Sequence, residues 1–193
     1  MKEETKKRKQ RLLVDMDGVC VALSQYWFDI YNSETGDNLT FDMVEVWELS
    51  SYAKYPDKMS EILNRQDFFY NAPPNKDAIE YFSKLIEENK FRINILTQAP
   101  INSVTAVHDK RRWMEKYFPK FNIHNMIFAH NKFLVSGDFL LDDHPHHLLS
   151  WKKEDPSNRI SVAFDYKYNR MVDVDYRVSS WKEFYSLVNE QLA

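Results

Sequence analysis

The sequence predicts an α/β protein built on a parallel sheet, and three observations carry that expectation. Short apolar runs recur along the chain, segments of helical periodicity lie between several of them, and chemically distinctive polar residues stand where the runs end. The runs are Leu12–Asp15, Ile93–Leu96, Met126–Ala129, Phe139–Leu141 and Ile160–Phe164, with Tyr176–Val178 as a weaker sixth. Each is too short for a helix. Most are dense in Val, Ile, Leu and Phe, the composition of strands covered on both faces.

The helices between them follow from spacing. Ala78, Ile79, Phe82, Leu85 and Ile86 fall on one helical face, and Pro73-Pro74-Asn75 ahead of them is a start signal. Val104, Val107, Met114 and Tyr117 predict a helix after the second strand. The last helix opens with Ser180 and Glu183 in capping-box spacing and buries Trp181, Phe184 and Val188, with Leu192 next on that face. Strands alternating with helices of this length give a parallel sheet.

One stretch breaks the rhythm. Residues 21–73 contain helical patterns but no convincing strand: Leu23, Tyr26, Trp27 and Ile30 form one face, and Met59, Ile62 and Leu63 another. The stretch is longer than one strand-to-helix crossover needs. It is expected to be a helical cap inserted after the first strand, over the C-terminal edge of the sheet, with residues 11–20 and 74–193 forming the core.

Composition narrows the function. With 44% hydrophobic and 15% aromatic residues, a chain of 193 residues can bury a substantial core in one domain. The 26 Lys and Arg against 29 Asp and Glu give a net charge of −3, which excludes a strongly basic coat for a nucleic-acid polymer. The single cysteine, Cys20, cannot form an internal disulfide, so a reducing, cytoplasmic setting is expected and the thiol reads as a small buried apolar group. No apolar run of about 18 residues predicts a membrane span. Residues 1–10 are basic, with Lys6-Lys7-Arg8-Lys9 at their centre, and are expected to be a solvated, flexible tail rather than a targeting signal.

The chemistry lies at four successive strand ends. Asp15 closes the first strand and Asp17 follows, with Gly18 permitting a sharp turn. Thr97 closes the second, Lys132 follows the third, and Asp142 and Asp143 close the fourth. Open parallel sheets bind ligands beyond the carboxyl ends of their strands, so these side chains are expected to converge. Each alone is an ordinary strand-end residue; the ordered set is what points to a site. A hard divalent ion such as Mg²⁺ takes oxygen ligands, usually one or two carboxylates with water and phosphate, and Asp15 with Asp142 is the obvious pair, helped by Asp143. Lys132 would offset the charge of a transferring phosphoryl group, and Thr97 would fix its oxygens. Asp15 is then free to act as a carboxylate nucleophile, with Asp17 as acid and base.

These four motifs resemble those of the haloacid-dehalogenase superfamily, in order, from the first strand to His144. The resemblance implies a Rossmann-like three-layer core, an aspartyl-phosphate on Asp15, and Mg²⁺ held by Asp15, the Asp17 carbonyl and the late Asp pair. A closer resemblance is to the 5′(3′)-deoxyribonucleotidases. It rests on Val14-Asp15-Met16-Asp17-Gly18-Val19, on Asn131-Lys132-Phe133-Leu134-Val135-Ser136-Gly137-Asp138 leading into Leu140-Leu141-Asp142-Asp143, and on Asp67-Phe68-Phe69. That family hydrolyses nucleoside monophosphates and holds the base against aromatics of the cap. Trp47, Phe68 and Phe69 are therefore the candidate base contacts. Gln98 and His144, which stand where the family usually has a smaller polar residue and an Arg, are further candidate substrate contacts, with His144 expected to border the phosphate site. The family also implies a homodimer. Rival readings are a phosphatase of the superfamily acting on a sugar or glycolate phosphate, and an inactive nucleotide-binding protein. His144, His146 and His147 lack the spacing of a helical zinc pair and are expected to form an exposed helix start.

Overall fold

The computed structural model describes residues 8–190. Six strands form one sheet in the order β3-β2-β1-β4-β5-β6, all parallel. They are β1 (Arg11–Val14), β2 (Arg92–Thr97), β3 (Met126–Phe128), β4 (Phe139–Asp142), β5 (Ile160–Phe164) and β6 (Tyr176–Val178). All six apolar runs are strands. The sheet grows outward in both directions from β1 and β4, whose neighbouring carboxyl ends form the crevice where such sheets bind ligands.

The helices are α1 (Leu23–Thr35), α2 (Pro56–Leu63), α3 (Phe68–Asn71), α4 (Ala78–Glu88), α5 (Ala106–Tyr117), α6 (Pro145–Glu154) and α7 (Trp181–Glu190). Successive side chains of a strand point to opposite faces, and β1 shows both being covered. Leu12 and Val14 enter the main core, where Phe82 of α4, Trp113 of α5 and Trp181 of α7 are buried. Leu13 enters a smaller core with Leu96, Leu140 and Trp151 of α6. Helices on both faces of a parallel sheet make the three-layer α/β fold that the strand pattern predicts.

Between β1 and β2 lie α1 to α4 and two short 3-10 turns, without a strand of the sheet. Met59 and Ile62 of α2 are buried, as are Leu23, Phe28 and Tyr31 of α1. Asp67, with φ of 59°, turns the chain into α3 and pairs with Arg112 of α5 at 2.6 Å. At the amino end, Arg8 pairs with Asp138 at 2.6 Å and Lys9 donates to the Asn89 carbonyl.

Three details depart from the sequence reading. On α5 the buried stripe is Ala106, Asp109, Lys110, Trp113 and Met114, whereas Val104 is 97% exposed and Val107 49% exposed. Of the expected face, Met114 is buried and Tyr117 packs half-buried against the core, whereas the two valines near the helix start face solvent. On α4, Ala78, Phe82 and Leu85 are buried but Ile79 is exposed. The α7 cap is shifted as well: the Ser180 hydroxyl accepts from the Glu183 N–H, but the Glu183 carboxylate reaches back to the N–H and hydroxyl of Ser179. Leu192 lies outside the described residues. Among the described residues no helix is long and apolar enough to cross a membrane.

Candidate active site

Asp15 is the first residue after β1, and its N–H donates to the Leu141 carbonyl, which extends the β1–β4 pairing one step beyond the strand. The chain then turns at Gly18, whose φ of +76° is readily reached only without a side chain. A Cβ there would also stand 2.3 Å from Asp143 Oδ2. Glycine is thus required both by the turn and by the carboxylate packed against it. Cys20, closing this turn, is fully buried and directs its thiol to the Asp15 carbonyl.

Lys132 opens a 3-10 turn after β3 and is 1% exposed. Its ammonium lies 2.7 Å from Asp15 Oδ1 and 2.7 Å from Asp142 Oδ2, bridging two strand ends. Asp142 also accepts the His144 N–H at 2.8 Å and faces His147 Nδ1 at 3.5 Å. Burial pushes both carboxyls up, and the balance with their neighbours differs. For Asp15, burial outweighs Lys132, and Asp142 and Asp17 add repulsion, so its pKa rises to about 6. For Asp142, Lys132 and His147 overcome burial and hold it below the usual carboxylate range. Asp143 is raised, by burial first and then by Asp15 and Asp142.

Asp17 and Thr97 meet through a residue that the motif reading missed. Lys110 of α5 has no exposed surface, and its ammonium donates to Asp17 Oδ2 at 2.5 Å, to Thr97 Oγ1 at 2.9 Å and to the Gln98 carbonyl at 2.5 Å. It stands over the Phe69 ring, 4.8 Å from the centroid. A lysine in the apolar stripe of a helix is a readable signal, but only once that stripe is phased on Ala106, Trp113 and Met114.

Oxygens of Asp15, Asp142 and Asp143 lie within 4.8 Å of one another. Two further observations fit a cation here. Asp143 Oδ1 is buried without a hydrogen-bond partner, and unpaired buried polar atoms are rare unless something else supplies a partner. The donors are all hard oxygens, which suits Mg²⁺, Ca²⁺ or Mn²⁺ and disfavours a soft metal. The residues present fit a divalent ion.

Asp15, Asp17, Thr97, Lys132, Asp142 and Asp143 are therefore brought together at the carboxyl edge of the sheet. His144 caps α6 and is half-buried; its ring lies 4.2 Å from Trp47 and 4.3 Å from His147, centroid to centroid. Burial first, then the neighbouring His147, lowers its pKa to about 4. Gln98 donates to the His130 carbonyl at 2.9 Å and faces His147 Nε2 at 3.0 Å. The expected exposed histidine cluster is only partly so: His147 is buried beneath the site and contacts Asp142, as its place one turn inside α6 allows. Phe68 and Phe69 are each 2% exposed; Phe68 packs on Tyr26 and Trp27, and Phe69 lies under Lys110. In this arrangement Trp47, not the Phe pair, stands beside the half-buried His144.

Residues 9–192 match the family described as 5′ nucleotidase, deoxy (pyrimidine), cytosolic type C protein. The chain belongs to this family. It is similar along most of its length to named deoxyribonucleotidases. The 5′(3′)-deoxyribonucleotidase of Clostridium acetobutylicum is 30% identical over 181 residues, covering 91% of this chain and 92% of that one. That of Bacillus subtilis is 25% identical over 177 residues, covering 91% and 96%. The nucleotidase chain also shares the fold of HAD hydrolases of solved structure. One from Deinococcus radiodurans, with bound phosphate and sodium, superposes with a TM-score of 0.66 at 9% identity, covering 94% of this chain and 96% of that one. Another from Bacillus subtilis, bound to magnesium, gives 0.60 at 12% identity, covering 95% and 100%.

Proposed function

We propose that this nucleotidase-family chain is a Mg²⁺-dependent phosphomonoesterase that converts (deoxy)nucleoside monophosphates to nucleoside and phosphate through an aspartyl-phosphate on Asp15. The observation that carries the reading is the pairing of roles across one crevice. Asp15 lies against Lys132, while Asp17 and Thr97 are held by Lys110.

In the first step an Asp15 carboxylate oxygen attacks phosphorus, and the bond from phosphorus to the ester oxygen breaks. Asp17 gives its proton to the departing alkoxide. Its Oδ2 is engaged by Lys110, so Oδ1, which has no partner, is the oxygen available to carry that proton. In the second step Asp17 takes a proton from water, whose oxygen attacks phosphorus; phosphate leaves and Asp15 returns as a carboxylate. General acid–base participation of this kind contributes roughly 10²–10⁴-fold. Thr97 and Lys132 orient and neutralise the phosphoryl oxygens in both steps, where catalysis is mostly positioning and electrostatics. Asp15, Asp142 and Asp143, with the Asp17 carbonyl, would hold Mg²⁺. The ion would supply positive charge to the phosphoryl group and bring the Asp15 carboxyl back toward its ionised form.

Trp47, beside His144 at the rim, is the proposed wall for the base; an aromatic face against a nucleobase is worth about 1–3 kcal/mol. The names of the Clostridium and Bacillus relatives support deoxyribonucleotides as the preferred class, and the magnesium in the B. subtilis hydrolase supports the ion. Residues 21–73 are proposed as a cap over this edge. The buried lone cysteine suits a reducing cytoplasmic setting.

A panel of phosphate esters, assayed by phosphate release with Mg²⁺ and with excess EDTA, tests the reading. Nucleoside monophosphates should be preferred over sugar and glycolate phosphates, with activity lost in EDTA and restored by Mg²⁺. Indifference to the base would remove the nucleotidase assignment, and full activity in EDTA would remove the metal.

A further inference from the structure

Asp143 is braced from outside the four strand-end motifs. The chain after β5 forms a 3-10 turn at Lys167–Asn169, where Tyr168 and Asn169 are buried. The Tyr168 hydroxyl donates to Asp143 Oδ2 at 2.5 Å. Asn169 Nδ2 donates to the Asp143 backbone carbonyl at 2.9 Å and to the Phe164 carbonyl at 2.7 Å. Asn169 Oδ1 in turn accepts from Arg177 at 2.7 Å, which ties the turn to β6. Gly18 closes the other side of Oδ2, close enough that a Cβ would collide with it. The carboxylate is therefore fixed in position and rotation, and only Oδ1 is left without a protein partner.

We infer that Tyr168 is a positioning residue for divalent-cation binding: its hydroxyl fixes Asp143 so that the carboxylate is set to join Asp15 and Asp142 around the ion. This rests on the proposed metal site. The tyrosine also reaches toward the substrate side. Its ring lies 5.1 Å from Trp47, 6.0 Å from Phe41 and 5.4 Å from Tyr166, centroid to centroid. One side chain thus touches both the aromatic wall offered to the base and a carboxylate offered to the metal. Outer hydrogen-bond partners of metal ligands commonly change affinity by about 10–100-fold when removed, because the ligand must then be oriented at the moment of binding.

Tyr168→Phe removes the hydroxyl and keeps the ring in its stack. Magnesium alone is titrated calorimetrically into the wild type, Tyr168→Phe and Asp142→Asn, with thermal melting as the control for fold. The expected result is magnesium binding by the wild type, none by Asp142→Asn, and about 10-fold or weaker binding by a folded Tyr168→Phe. In turnover, the magnesium activation curve of Tyr168→Phe should shift to higher concentration by the same factor while its plateau stays near wild type; general damage would lower the plateau instead. Equal magnesium affinity in wild type and Tyr168→Phe overturns the role of Tyr168 and leaves the metal site standing. Absence of Asp142-dependent binding in the wild type overturns the metal site, and the Tyr168 role with it.

Discussion

Lys110→Met separates a structural lysine from one that serves the acid. The substitution keeps length and apolar bulk while removing an ammonium that holds Asp17, Thr97 and the Gln98 carbonyl. Two consequences follow. In stability, the buried Thr97 hydroxyl and the Gln98 carbonyl lose a donor, and such losses cost about 1–3 kcal/mol. The Asp17 side chain keeps 26% exposure, which lets water offset part of the lost ion pair. For a domain of this size, that lowers the melting temperature by several degrees, at roughly 2–4 °C per kcal/mol, and leaves the protein folded at 25 °C. In catalysis, Asp17 is misplaced rather than removed, and a displacement near 1 Å can cost about 10²-fold. The assay is kcat/KM for phosphate release from dUMP and from 4-nitrophenyl phosphate. That parameter stops at the first irreversible step, so it reports departure of the leaving group and excludes the later attack of water. A nucleoside alkoxide needs a proton to leave; a nitrophenolate does not. Lys110→Met should therefore lose about 10²-fold on dUMP, near 2.7 kcal/mol of transition-state stabilisation, and under about 10-fold on the aryl ester. Equal losses on the two substrates would refute the link from Lys110 through Asp17 to the leaving group.

Gly18→Ala combines a left-handed backbone, worth about 1–2 kcal/mol against an L side chain, with a Cβ 2.3 Å from Asp143 Oδ2. It should lower the melting temperature and weaken magnesium binding together; wild-type values of both would show that the Asp143 carboxylate is not wedged there. His144 should titrate near a pKa of about 4 in an NMR experiment with its resonance assigned through His144→Gln, because burial and the adjacent His147 ring oppose its charge. Its folded pKa lies below the unfolded 6.5, so the stability linked to it is present above pH 6.5 and lost as pH falls toward 4. Urea melts of His144→Gln should consequently lose less stability than the wild type over that window, and a midpoint near 6.5 for His144 would contradict the packing of Trp47 against it.

The strands and the motif residues were legible for the same reason. A strand covered on both faces must be continuously apolar, so its end is marked by the first polar residue, and in a parallel sheet those ends share one edge. Asp15 and Asp142 are each such a residue; Thr97 ends β2 beyond the polar Asn94, and Lys132 follows β3 only after His130 and Asn131. Helix phase was less legible. Val104 and Val107 are apolar yet face solvent, and a face drawn through them to Met114 and Tyr117 leaves out the buried Ala106, Lys110 and Trp113. Lys110 consequently falls outside the expected face. Tyr168 was hidden differently: it lies beyond β5 in a turn without periodicity, and its importance comes from a contact with Asp143 that no local pattern encodes.

The missed lysine changes the electrostatics of the site. Read from the motifs alone, Asp15, Asp17, Asp142 and Asp143 face Lys132 by itself. With Lys110 inside, four carboxylates meet two ammonium groups, and the two lysines divide the work. Lys132 bridges Asp15 and Asp142, which lowers Asp142 but does not overcome the burial of Asp15. Lys110 engages the Asp17 side and does not contact the Asp15, Asp142 and Asp143 cluster. The unbalanced carboxyls are therefore Asp15, raised by burial and then by Asp142 and Asp17, and Asp143, raised by burial and then by Asp15 and Asp142. A divalent cation seated among Asp15, Asp142 and Asp143 would offset that imbalance where it lies, while the Asp17 side chain keeps its own partner in Lys110. On the proposed mechanism, the nucleophile needs the metal to stay ionised, whereas the acid needs to stand apart from it. The separation of the two lysines meets both needs.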